Sequence, residues 1–280
     1  ILPKPDAEMP GLSRSLLRLP FAKDAFRFAL YEGFETLGYG FRNPEWLERA
    51  EALARAHLRR QVPDAEKRKK LEPDYVLGCK RVLLSNDYYP AVAKPNVELL
   101  ATGVREVRGR VVVGSDGSER EVDTIVLGTG FHVSDPPIAE TVHRGDGRSL
   151  ASVWAGSPEA YRGTTIAGFP NLFLVLGPNL AIGHNSAFVV IEAQLDYILS
   201  ALSAMRAKGL RRLEVKRSVQ TAYNRDVQRD LAGTVWNTGG CSSYYLDANG
   251  KNSIGFPWST HEMRRLLRDI DLEAYEVGGA

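Results

Sequence analysis

Residues 121–131, Glu-Val-Asp-Thr-Ile-Val-Leu-Gly-Thr-Gly-Phe, constrain this chain more than any other stretch. The segment opens polar, runs through Ile125, Val126 and Leu127, then breaks into Gly128-Thr129-Gly130 with Phe131 behind. A short, nearly continuous apolar run predicts a strand buried on both faces, as in the sheets of α/β proteins. Two glycines around Thr129 let the backbone turn sharply and approach something flat with no Cβ in the way. Taken alone, the segment is a buried strand that ends in a tight turn.

Before it, residues 1–10 hold three prolines and are expected to be extended or loop. From Leu12 to about Leu37 apolar residues recur at helical spacing, and Pro20 divides the run into two helices. Asn43 and Pro44 predict a helix start, with Asn43 as N-cap and the helix running to about Arg60. His57 falls inside it and receives no role. The basic run of Arg59, Arg60, Lys67, Arg68, Lys69 and Lys70 is interleaved with Asp64 and Glu66 and predicts a solvated helix face. Strands are expected over residues 78–84, 96–100 and 104–113, with a hairpin at Asp116-Gly117 leading to residues 120–122. After the central stretch, Asn171 to Leu176 predicts a second buried strand ending in the turn Gly177-Pro178-Asn179. Ser186 or Asn185 then caps a long helix to about Ala207. A strand at 213–215, a helix at 219–231 and a last amphipathic helix at about 260–268 complete the pattern.

Composition narrows the function. With 36 Lys and Arg against 34 Asp and Glu, the net charge of +2 makes no case for a nucleic-acid partner. No apolar run approaches the length needed to span a bilayer, so no stable membrane insertion is expected. The two cysteines, Cys79 and Cys241, are far apart and have no CxxC spacing. A disulfide framework or zinc site is therefore not expected; both side chains read as packed, and the setting as a reducing cytoplasm. The chain has no GxGxxG, no GxxxxGK[ST], no GxSxG elbow and no metal-ligand spacing such as HExxH. The enzyme readings left are those in which a bound cofactor does the difficult step.

Four segments, in order, carry a resemblance. They are Gly78-Cys79-Lys80-Arg81 with Asn86-Asp87-Tyr88-Tyr89, and Asp123 to Phe131. Gly168-Phe169-Pro170-Asn171-Leu172-Phe173 with Gly177-Pro178-Asn179 follows, and then Trp236-Asn237 with Gly240-Cys241-Ser242-Ser243-Tyr244-Tyr245. Together they resemble the C-terminal half of class B flavoprotein monooxygenases of the Baeyer–Villiger type. The segment at 123–131 is similar to the "ATG" segment of two-dinucleotide flavoproteins, with Gly128 in place of the usual Ala.

The resemblance implies FAD and NADPH as cofactors, with O2 and a small-molecule ketone or heteroatom compound as reactants. NADPH would reduce the flavin, O2 would add at C4a, and the peroxyflavin would attack the carbonyl. Lys80 and Arg81 are neighbours in an extended segment, so their side chains point to opposite faces and can serve two sites. By resemblance Lys80 contacts the NADPH 2′-phosphate. Arg81, the expected catalytic residue, sits over the flavin, where an always-charged guanidinium stabilises developing anions. Gly128, Thr129 and Gly130 are expected against the FAD and the interdomain hinge. Gly177, Pro178, Asn179 and Ser186 bring a helix N-terminus, with its unpaired N–H groups, toward the flavin pyrimidine edge. His184 fits a structural hydrogen-bonder as well as an acid or base. Tyr244 stands where the better-known members often carry Trp, in a loop over the nicotinamide.

Two fingerprints of the family, one for FAD and one for NADPH, are absent, as is the Baeyer–Villiger signature between them. The chain is accordingly expected to be the C-terminal part of a longer enzyme, inactive alone. The expected fold is α/β, part of a two-dinucleotide-binding-domain flavoprotein with a helical subdomain. Residues 1–73 would be that subdomain, 74–127 the returning strands of the NADPH domain, and 128–280 the second half of the FAD domain. Oxidation of N or S heteroatoms, or a non-catalytic interaction module, are the alternatives.

Overall fold

The computed structural model describes residues 1–5 and 10–279, so part of the extended stretch expected over residues 1–10 lies outside the described residues. The chain divides into two compact units: residues 1–4, 52–73 and 83–132 form one, and residues 5–51, 74–82 and 133–280 the other. These divisions differ from boundaries at 73 and 127, because the N-terminal helices are shared between the units.

In the first unit, helix α3 (Glu48–Gln61), which begins in the second unit, and helix α4 (Ala65–Leu71) enclose a small core. Leu58, Val62 and Tyr89 form it, with Ile1 and Leu71 packed alongside. Tyr89 comes from α5 (Tyr88–Ala93). His57 is buried, and its Nε2 lies 2.9 Å from the Ser85 carbonyl oxygen, a structural role. Strands β1 (Val104–Arg108), β2 (Val111–Gly114) and β3 (Glu119–Glu121) make an antiparallel sheet in that order. The β2–β3 hairpin turns at Asp116-Gly117, where Gly117 takes φ +84° and the Asp116 carboxylate accepts from the Ser118 N–H at 3.0 Å. The strand expected over 104–113 is two strands, split at Gly109.

The central stretch departs from expectation. β3 ends at Glu121, and residues 123–130 carry no regular structure. Val126 is 90% exposed and Phe131 95%. A strand exists only with a ladder partner, and apolarity signals a need for cover without naming who supplies it. Within the described residues no strand pairs with this segment. Residues 96–100 likewise form no strand, and residues 78–84 contribute only a parallel bridge from Leu84 to Leu2.

The second unit is mostly helical. α1 (Gly11–Leu16) and α2 (Pro20–Arg42) are divided at Pro20, which opens α2 at its first turn. Asn43 follows α2 but caps nothing with its side chain, which donates instead to the Tyr39 carbonyl at 3.0 Å. The unit continues with α6 (Leu150–Trp154), α7 (Ala187–Ala207), α8 (Arg217–Leu231), α9 (Val235–Thr238) and α10 (Thr260–Leu266). Strands β4 (Leu210–Val215) and β5 (Tyr275–Gly279) pair antiparallel. Residues 171–176 run as a half-buried segment without a ladder, held by single bonds from Asn171 N to Leu213 O (2.9 Å) and from Leu174 N to Thr164 O (2.8 Å).

The architecture is thus mixed helix and strand. Among the described residues both sheets are antiparallel, and the buried parallel strands of the α/β expectation are not formed. α7, at 21 residues, is long and apolar enough by length and composition to cross a membrane, which the sequence pattern did not bring out. It also places Val190, Tyr197 and Ala201 in the core of the unit.

The cysteines correct a second expectation. Cys79 and Cys241, separated by 162 positions, form a disulfide with their Cα atoms 6.1 Å apart. The chain around residues 76–79 runs beside the end of α9, with Val76 N donating to Gly239 O at 3.0 Å. Gly239 permits the approach, since a Cβ there would lie 2.6 Å from Cys79 Cβ. Cysteine usage therefore gives no argument for a reducing compartment.

Candidate functional site

A cavity of about 630 Å³ lies within the second unit. Its lining is mainly apolar, with one basic side chain, Arg81, on its wall. Three strips of chain build much of it, and residues between 133 and 158, with Ser253 and Ile254, line it as well.

The first strip is residues 172–178. Gln194, in the middle of apolar α7 and fully buried, holds it in place. Its Oε1 accepts from Leu176 N (2.7 Å), and its Nε2 donates to Leu174 O (3.0 Å), Thr164 Oγ1 (2.9 Å) and Gly163 O (3.2 Å). Gly177 is pressed against this neighbour, since a Cβ would come within 2.3 Å of Gly163 O. Gly177 and Pro178 line the cavity, whereas Asn179 is buried behind it. The Asn179 amide donates to Asn252 O (2.8 Å) and Gly255 O (3.0 Å) and anchors the strip to residues 252–255.

The second strip, residues 181–185, leads into α7. Ala181 bridges in parallel to Gly255. His184 sits in a niche made by Gly38 of α2, where a Cβ would be 2.6 Å from the imidazole. Its Nε2 is 2.9 Å from Glu35 Oε1, and the Glu35 carboxylate also accepts from Thr260 N at 3.2 Å and from the Thr260 hydroxyl. Burial pushes the Glu35 carboxyl up, but the Thr260 and His184 hydrogen bonds outweigh it and keep it below the usual range. Burial pushes His184 down, and the pull of Glu35 does not restore it. Glu35 is therefore ionised and His184 neutral near pH 7. Ser186 caps α7, accepting from Phe188 N at 3.2 Å, and Asn185 Oδ1 accepts from Ser186 N at 2.9 Å. Asn185 Nδ2 and His184 Nδ1 are buried polar atoms with no partner.

Arg81 and the loop at 240–245 form the third strip. Tyr244 stacks on Tyr245 at 4.8 Å between centroids, and Tyr245 on buried Trp236 at 5.4 Å. Burial raises the Tyr245 phenol, Tyr244 adds to the effect, and the Arg81 charge opposes it. Lys80 points elsewhere: its Nζ lies 4.8 Å from the centre of the Tyr75 ring, outside the cavity lining.

Of the residues singled out in the sequence, Arg81, Gly177, Pro178 and Tyr244 share this cavity. Asn179 and Ser186 stand behind it as anchor and cap. Gly128, Thr129 and Gly130 belong to the other unit and are exposed, with Gly130 at φ +83°. Glu35, Gly38 and Gln194 escaped sequence reasoning. Gln194 left one legible signal, a lone amide in an otherwise apolar helical run. Glu35 and Gly38 left none, because their partner lies some 150 residues away. Chemically, a flat and partly apolar ring with acceptor atoms suits these walls, with Arg81 placed to hold negative charge.

No family model matches the chain. It is 44% identical over 280 residues to a protein named Baeyer–Villiger monooxygenase from Streptomyces coelicolor, covering 99% of this chain and 54% of that protein. A protein of the same name from Pseudomonas aeruginosa is 43% identical, covering 99% of this chain and 53% of its own length. The crystal structure of cyclohexanone monooxygenase from Rhodococcus sp. Phi1 bound to NADP+ superposes with a TM-score of 0.72 at 28% identity, covering 83% of this chain and 45% of that one. The chain thus spans about half the length of the curated relatives it matches. These likenesses support a flavoprotein of the Baeyer–Villiger monooxygenase type, in keeping with the four-segment resemblance.

Proposed function

We propose that this chain is the C-terminal part of an FAD- and NADPH-dependent monooxygenase that inserts one oxygen atom of O2 beside a ketone carbonyl. The observation that carries the proposal is the meeting of Arg81, Gly177, Pro178 and Tyr244 on one cavity. Three of the four resembling segments contribute to that lining. NADPH supply fits a cytoplasmic setting.

The residues fit a flavin ring. The cavity is mainly apolar, Asn185 Nδ2 has no partner, and α7 begins beside it with the partial positive charge of a helix N-terminus. Gly177, Pro178 and the start of α7 would hold the ring, and Lys80 the NADPH 2′-phosphate. The glycines at 128 and 130, with Thr129, would lie along the FAD where the chain passes between domains. When bound, the flavin supplies electron transfer and the activation of O2. The planar guanidinium of Arg81 binds negative charge that develops on oxygen beside it. Tyr244 and Tyr245 form a stacked aromatic wall on that side.

The test is the full-length protein. Its visible spectrum should show bound flavin, NADPH oxidation should rise with added ketone, and 18O2 should label an ester or lactone. NADPH oxidation that rises with sulfides or amines alone would move the assignment to heteroatom oxygenation. A colourless protein would remove the enzyme reading.

A further inference from the structure

The Cys79–Cys241 disulfide joins two walls of the cavity. Cys79 stands two positions before Arg81, and Cys241 three positions before Tyr244. The bond therefore ties the strip that carries Arg81 to the loop that carries Tyr244 and Tyr245. Residues 240–243 have no helix or strand of their own. Near the disulfide, the strips are also joined by the hydrogen bond from Val76 N to Gly239 O (3.0 Å) and the contact of Cys241 N with Cys79 Sγ (3.2 Å).

We propose that this pair is a thiol–disulfide exchange site addressed by dithiol reductants, and that its redox state sets how firmly the Tyr244 loop is held against Arg81. Cys79 is 1% exposed whereas Cys241 is half-buried, so an incoming thiolate reaches the Cys241 sulfur. Attack there forms a mixed disulfide and expels Cys79 as a thiolate. The Cys241 N–H that already points at Cys79 Sγ stabilises that leaving charge. The second thiol of the reductant then attacks its own mixed-disulfide sulfur, releasing Cys241 and closing the reductant into a cyclic disulfide. Two electrons and two protons pass to the protein, which ends with two thiols. A disulfide oxidant reverses the sequence.

With the bond broken, the loop at 240–245 keeps the Trp236–Tyr245 stack but loses its covalent tie to the Arg81 strip. The inference concerns the walls of the cavity and holds whatever chemistry the cavity serves.

The experiment uses the full-length protein with no added cofactor or substrate. Peptides containing Cys79 and Cys241 are mapped by alkylation before and after dithiothreitol, and backbone hydrogen exchange is followed in both states. Both cysteines should resist alkylation in protein oxidised with excess cyclic dithiol disulfide and accept it after dithiothreitol under native conditions. Reduction should speed exchange across residues 76–82 and 239–246 by about tenfold and leave α8 unchanged, as expected when a local constraint is removed. Cys241→Ser should exchange like reduced protein and ignore dithiothreitol; if it does not fold, the two states of the unsubstituted protein decide. Cysteines that stay alkylatable after oxidant, a bond that native dithiothreitol cannot break, or equal exchange in both states would each overturn the proposal.

Discussion

His184 Nε2 and Glu35 Oε1 stand 2.9 Å apart, and through them α2 supports the strip of chain that enters α7. The pair is buried, and both groups are held below their ordinary pKa values, His184 by burial and Glu35 by hydrogen bonds that overcome burial.

The sign of the resulting pH dependence is fixed. As pH falls, the unfolded chain takes up protons first at both positions, so their contribution is complete above the ordinary histidine value of about 6.5 and is lost below it. Glu35 adds a further loss below the ordinary carboxylate range. Urea unfolding at a series of pH values should show stability dropping below that histidine value in the wild type and less steeply in His184→Gln. Identical pH profiles would show that His184 does not titrate with unfolding.

Two glycines of α2 should respond with opposite signs to the same substitution. At Gly38 a Cβ would lie 2.6 Å from the His184 ring, whereas at Gly33 nothing lies within 4 Å. Gly33→Ala should stabilise the protein by up to about 1 kcal/mol, the helix-propensity gain. Gly38→Ala should destabilise it by roughly 1–3 kcal/mol through overpacking. Denaturant midpoints of the two variants decide this, and a stabilised Gly38→Ala would mean that His184 moves aside freely.

Gln194→Leu keeps the apolar character of α7 but strands the Leu176 N–H and the Leu174 carbonyl, both partners of the Gln194 amide. An unpaired buried backbone group costs about 1–3 kcal/mol, so the loss should rank among the larger single-site effects. Proteolysis should also reach residues 172–177 sooner than in the wild type. Unchanged stability would assign the position of that strip to its apolar contacts.

In the full-length protein, Arg81→Ala should retain flavin and some reduction by NADPH but lose oxygenated product, with the electrons appearing as hydrogen peroxide. Arg81→Lys should not restore coupling fully, because one ammonium lacks the planar fork of donors. Stopped-flow absorbance of the reoxidising flavin, with product and peroxide yields, reads this directly. Near-normal coupling in Arg81→Ala would place the anion-holding role on another residue.

Lys80→Ala should raise the KM for NADPH well above that for NADH and leave oxygenation nearly intact. A contact to one phosphate would be worth about 1.5–3 kcal/mol, as for other hydrogen bonds to charged groups. Equal changes for the two nucleotides would show that Lys80 does not read the 2′-phosphate.

Features set by a residue and its near neighbours were legible from the sequence alone. Pro20 opens α2, Ser186 caps α7 and the helix ends at Ala207, and Asp116-Gly117 turns a hairpin. Each depends on local backbone geometry, a cap or a helical period, which operate within a few residues. The four-segment resemblance was legible for the same reason, since each segment is short and continuous.

Long-range pairings were decided only by tertiary structure. Ile125 to Leu127 have the composition of a buried strand yet lie open, because a strand needs a hydrogen-bonding neighbour that no other described strand of this chain provides. Cys79 found Cys241 across 162 positions because Gly239 lets two backbones close together. Glu35 and Gln194 were invisible as site residues because their importance lies in which carbonyls, N–H groups and imidazole they meet. Those meetings are fixed by how helices pack, and packing brings together residues whose spacing in the sequence carries no local signal.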